Sequence, residues 1–250
     1  MILDSEEPLA VAVTNAIRFG DLATLTGLLA EHPDLARARV HHAPSGTSRT
    51  LLHIASDWPG HYPAAAATVA ALVRAGADVD ARFEGGLHSE TPLHWAASSD
   101  DVAVLDALLD AGADIDARGA VIGDGTPLAD ATAFGQWYAA QRLVERGARA
   151  TLWEAAALGL DDRVAEHFTD GDGDGGGDPS PEDVTHAFSA ACHGGRRTTA
   201  EYLRERGADV NRVGHDNLTP LDAAARSGAH ELVEWLRENG AVSAAESQAR

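Results

Sequence analysis

The feature that most constrains this chain is a distance that recurs along it. Thr91-Pro92-Leu93-His94-Trp95-Ala96-Ala97 is followed by Gly112-Ala113-Asp114. Thr50-Leu51-Leu52-His53-Ile54-Ala55 leads to Gly76-Ala77-Asp78, and Thr126-Pro127-Leu128 leads to Gly147-Ala148-Arg149. Thr185 leads to Gly207-Ala208-Asp209, and Thr219-Pro220-Leu221 to Gly240-Ala241. The Thr-to-Gly separations are 26, 21, 21, 22 and 21 residues, whereas successive Thr positions (50, 91, 126, 151, 185 and 219) lie 41, 35, 25, 34 and 34 apart. A packed piece of nearly fixed length is therefore joined by connections of variable length. That is the pattern of a stacked repeat, in which each unit buries its apolar face only against its neighbours.

The chemistry inside each unit is that of two short helices. Thr opens the first as its cap, and Pro follows where a missing N–H costs nothing. Leu93 points into the stack, and Ala96 and Ala97 let neighbouring helices approach. Val102, Leu105, Leu108 and Leu109 form the apolar stripe of the second helix. Gly112 ends it with a positive φ, and residues 113–117 begin an extended finger.

The Thr-Pro-Leu-His-x-Ala signature and its period resemble the ankyrin repeat. The resemblance implies an all-α fold, an ankyrin repeat solenoid of about seven stacked helix pairs with short β-like fingers. The expected organisation is a single array over 1–242, with units at about 8–49, 50–90, 91–125, 126–150, 151–184, 185–218 and 219–242. The first unit is a degenerate cap with helices at 8–18 and 21–31. The resemblance also implies that His94 hydrogen-bonds neighbouring backbone.

Three departures stand out. About five extra residues (Asp57-Trp58-Pro59-Gly60-His61-Tyr62-Pro63) lie between the two helices of the second unit. The fourth unit is 25 residues long, with no room for a full finger. The fifth ends in a flexible acidic loop, 170–180. There Asp170, Asp172, Asp174 and Gly175 match the opening of a calcium-binding loop, but Pro181 stands where the bidentate Glu belongs. The loop is read as low-complexity chain, and residues 243–250 as a frayed polar tail.

Net charge is −20 with His neutral, and all 19 basic residues are Arg. The lack of Lys fits a GC-rich bacterial genome and removes Schiff-base and P-loop chemistry. Strong acidity disfavours nucleic acid and anionic membranes as partners. It favours solubility first, and a basic partner second. The single Cys192 excludes an intramolecular disulfide. The acidic start, Met1 to Glu7, is unlike a signal peptide, and no apolar run approaches the ~20 residues that span a membrane. The expectation is a cytoplasmic monomer.

No metal-ligand spacing, nucleophile elbow or phosphate loop is present, so no catalytic residue, metal or cofactor is assigned. Large aromatics cluster near the irregular centre: Trp58, Trp95, Phe134 and Trp137, interleaved with Asp57, Ser99 and Asp130. Such sets make binding hot spots, and they also fill space where packing is disturbed. His61, His88 and Glu90 fall in neighbouring loops. The expected function is a non-enzymatic module binding a protein through the concave groove and finger tips of the second to fourth repeats. The alternative is a small-molecule-binding protein or enzyme, with Asp57, His61, His88, Glu90 and Asp130 around a central pocket.

Overall fold

The computed structural model describes residues 1–169, 178–214 and 217–248. The span read from the sequence as one array falls into two compact units, Met1–Arg149 and Ala150–Arg250. The division coincides with the missing finger after Gly147.

Unit 1 runs β1 (Ile2–Asp4), α1 (Pro8–Phe19), α2 (Leu22–Glu31), β2 (Arg39–His42), β3 (Thr47–Thr50), α3 (Leu51–Ser56), α4 (Ala65–Arg74), α5 (Pro92–Ser98), α6 (Val102–Asp110), α7 (Pro127–Ala133) and α8 (Trp137–Glu145). Within it the inner helices α1, α3, α5 and α7 pack in succession, and the outer helices α2, α4, α6 and α8 do the same. Alanine makes this possible: Ala55, Ala96, Ala97 and Ala131 are fully buried at the closest approaches, with Leu51, Leu93, Leu105 and Leu128 filling the layers between. The first finger is a true hairpin. β2 and β3 pair antiparallel, β1 joins β2 in parallel, and Ser48 bridges to Glu84 of the next finger.

Unit 2 contains α9 (Leu152–Leu158), α10 (Asp161–Glu166), α11 (Pro181–His193), α12 (Arg197–Glu205), α13 (Pro220–Arg226), α14 (His230–Glu238) and α15 (Ala244–Gln248). Here α11 packs between α9 and α13, and α10 meets α12.

The Thr positions cap their helices through a reciprocal arrangement. The Thr50 and His53 side chains form a capping box, as do those of Thr91 and His94. Glu154 and Asp222 replace the His in unit 2, opposite Thr151 and Thr219. His53 does more than cap. Its Nδ1 faces the Thr50 N–H and hydroxyl, while Nε2 lies 3.1 Å from the carbonyl of Glu90 in the next repeat. A ring that accepts the Thr50 amide at Nδ1 must carry its proton on Nε2 and donate it to Glu90. Burial drives His53 down to about 3 and His94 down to about 4, so both rings are neutral at physiological pH.

A second ladder joins consecutive fingers. The Asp80 carboxylate accepts from the Asp114 N–H, Asp116 from the Arg149 N–H, and Asn211 from the Val242 N–H. Each acceptor stands four residues beyond the helix-ending Gly of its own repeat. The finger that varies in length is thus tied down at its base.

Two expectations are corrected. Thr185 does not open its helix: α11 starts a full turn earlier at Pro181, because Ser180 and Asp183 form a capping box of their own. Thr185 sits inside the helix, donating to the Pro181 carbonyl and accepting from the Asp209 N–H. The polar tail is not wholly frayed either. Residues Ala244–Gln248 form α15, fixed by Ser243 against Glu246 and by the Ala244 N–H on Asp222. Residues 170–177, which carry the calcium-loop resemblance, lie outside the described residues.

Candidate functional site

The insertion in the second repeat is anchored at several points. The Asp57 carboxylate sits 3.2 Å from Arg18 and 2.8 Å from Arg49. The His61 N–H donates to Asp101, at 2.6 Å. Gly20, at φ +68, packs so closely that a Cβ there would lie 2.2 Å from the Pro63 carbonyl oxygen. Asp57 is therefore consumed by two guanidinium groups rather than free to act as an acid or base. Ser99 is likewise structural: it is buried and its hydroxyl reaches the Ser56 carbonyl at 3.4 Å. The imidazole of His61 is exposed.

The anchored loop presents Trp58 to solvent at 76% exposure. Phe19 at the end of α1 (75%), Phe134 at the end of α7 (48%) and Tyr138 at the start of α8 (76%) are also exposed. Phe19, Trp58 and Phe134 stand at the end of their inner helices, Tyr138 follows in the first turn of the outer helix α8, and Trp137 stands half-buried beside it. Phe19 and Tyr138 were not singled out from the sequence. For Phe19 the signal was its equivalence to Phe134, each being followed by a Gly of positive φ; Tyr138, four residues beyond Phe134, had no such register signal.

Trp95 belongs to the other end of the inner helices. It lies in the first turn of α5, four residues before the position equivalent to Phe134, about 6 Å along a helix axis. The aromatics that cluster in the sequence therefore fall into two groups. Trp95 meets His53 edge-on, with ring centroids 4.9 Å apart, and Phe83 at 5.4 Å. Phe83, invisible as a site residue in the sequence, comes from the finger and completes this cluster.

Beside Trp95 stand Glu90 and Asp130. The Glu90 backbone is fixed by two donors on its carbonyl, the Phe83 N–H at 2.8 Å and His53 Nε2. Its half-buried carboxyl is raised by burial, while the Trp95 side chain, as a hydrogen-bond donor, and the nearby charge of His88 pull it down. Asp130 occupies the same register position in the fourth repeat as Trp95 in the third. It is completely buried, and neither carboxylate oxygen has a partner at hydrogen-bonding distance. Burial, and then the adjacent charge of Glu90, push its carboxyl up to about 7; the N–H groups of Ile122 and Val121 act in the opposite sense. Two carboxyl groups beside an indole, one of them buried and unsatisfied, can bind a proton or another positive group. Among the described residues no set of three or more metal-ligating side chains comes together.

Models of ankyrin repeats match this sequence over residues 13–119, in a three-copy form, and over residues 188–237, in a many-copy form. Both matches fall on the helix pairs described above. No curated protein matches the chain. No helix among the described residues is long and apolar enough to cross a membrane.

Proposed function

The chain belongs to the ankyrin repeat family, and from that premise we propose that it captures a partner protein through the groove and finger tips of its second to fourth repeats. Ankyrin repeats are in general protein–protein interaction modules. The observation that carries the reading is the exposure of Trp58 on a loop held by Asp57, His61 and the close packing at Gly20. An exposed indole on a fixed backbone loses little conformational freedom on binding, which is what a hot-spot anchor requires. Phe134 and Trp137 flank the same surface, and Trp95 anchors the finger side. The chain acts as a monomer, and its net charge of −20 turns it toward proteins rather than nucleic acids or anionic membranes.

The test is affinity capture from lysate of the native host, with wild type, Trp58→Ala and Trp95→Ala/Trp137→Ala as baits. Circular dichroism first verifies that the variants fold. One protein held by wild type and depleted at least about tenfold from a variant is the expected result, equivalent to about 1.4 kcal/mol or more at the anchor. Equal capture by all three baits overturns the assignment to these residues. A released small molecule with no protein partner overturns the reading altogether.

A further inference from the structure

We infer that the Glu90–Asp130 pair beside Trp95 is a receptor for an arginine side chain of the partner protein. The inference rests on the reading of the second to fourth repeats as a protein-binding surface and assigns the chemistry of what binds there.

The argument begins with an imbalance. Asp130 is fully buried with both oxygens unpartnered, and the group closest in character is another carboxyl, Glu90. A buried acid without a partner carries a desolvation cost that native structures normally offset. Here the offset is partial: the Glu90 carboxyl and the N–H groups of Val121 and Ile122 act on Asp130, and among the described residues no cation faces it. Among the described residues, no arginine pairs with Glu90 or Asp130. Arg82, whose charge acts on the neighbouring His94, is committed to the carbonyls of Ser89 and Arg118. The groups that act on the pair are His88 on Glu90, and the N–H groups of Val121 and Ile122 on Asp130. In the absence of a partner, a proton is the remaining counter-charge.

The shape of the site selects the cation. Glu90 is half-exposed and its backbone is held by Phe83 and His53, so its carboxylate is presented from a fixed position. Asp130 stands behind it. Two carboxylates at different depths suit a forked donor better than a point charge, and guanidinium offers five N–H groups in one plane. The indole of Trp95 is directed at Glu90, so a guanidinium engaging Glu90 lies beside an aromatic ring and gains cation–π attraction. The acidity of the whole chain draws a basic partner toward the same surface.

The test uses the full chain and the tripeptide Ac-Gly-Arg-Gly-NH2, with its citrulline and lysine counterparts as controls. The Trp95 indole N–H is followed by NMR and assigned with Trp95→Phe. The expected result is a saturable shift with the arginine peptide and none with citrulline, which has the same shape but no charge. Because the cation displaces a proton held near pH 7, the dissociation constant falls by about tenfold between pH 6 and pH 8. Glu90→Gln and Asp130→Asn each abolish the shift while keeping the wild-type circular dichroism. No shift up to about 50 mM peptide, an equal shift with citrulline, or an undiminished shift in both variants overturns the proposal. Equal binding of the lysine peptide also overturns it, because the forked geometry would then play no part. If the arginine peptide fails while Trp95→Ala/Trp137→Ala still loses its captured protein, the binding surface stands and only the arginine assignment falls.

Discussion

Replacing Asp130 by Asn should make unit 1 more stable, by an amount that grows with pH. Asp130 titrates at about 7 in the folded chain, against 3.8 for an ordinary aspartate. Between those values the folded chain holds a proton that the unfolded chain has released. Stability therefore falls as pH rises through that window and stays low above it. A difference of a little over three pH units, at 1.36 kcal/mol each, corresponds to about 4 kcal/mol. Asparagine has the shape of the protonated acid. It can donate to Glu90 and accept from the Val121 or Ile122 N–H, and it has no charge to desolvate. At pH 4.5 the variant should lie within about 1 kcal/mol of wild type; at pH 8 it should be more stable by about 2–4 kcal/mol. Urea denaturation across pH 4.5–8.5, followed by circular dichroism and tryptophan fluorescence, measures the difference. A gap that does not change with pH refutes the reasoning, as does a variant that is weaker than wild type at pH 8.

Two further outcomes follow from buried groups in the repeats. His53→Ala removes the cap partner of Thr50 and a donor to the Glu90 carbonyl, and should cost about 2–4 kcal/mol in urea denaturation. A loss under ~0.5 kcal/mol would show that the ring is dispensable. The wild-type His53 contribution is present above pH 6.5 and is lost as pH falls toward about 3, because the folded site excludes the charged ring. Cys192 is fully buried and its thiol is pushed well above the ordinary range by that burial, so Ellman's reagent should leave it unmodified in the native protein. One thiol should react after unfolding in urea; rapid native reaction would mean that α11 opens locally.

The recurring Thr-to-Gly spacing, with Leu and Ala at repeated offsets, marked the helix pairs, and the resemblance to the ankyrin repeat implied how they stack. The Thr cap was legible for the same reason, and the resemblance implied that His94 bonds nearby backbone; that the His closes a reciprocal box on its Thr emerged only in the structure. Thr185 shows where this logic stops. Its register is right, yet Ser180 and Asp183 offer a competing cap one turn earlier, and the helix takes it. The candidate site was only half legible. Trp58, Trp95, Glu90 and Asp130 were recognisable as unusual residues for their positions, but not as two separate clusters. Asp57 looked like a free acid until Arg18 and Arg49 met it from 39 and 8 residues away. Phe83 joined Trp95, and Glu90 came to face Asp130, through contacts between different repeats. Sequence by itself fixed what each repeat is, because those interactions are local and recur. Tertiary structure decided which odd residues meet and which remain without a partner, because burial and charge pairing arise only where one repeat closes over the next.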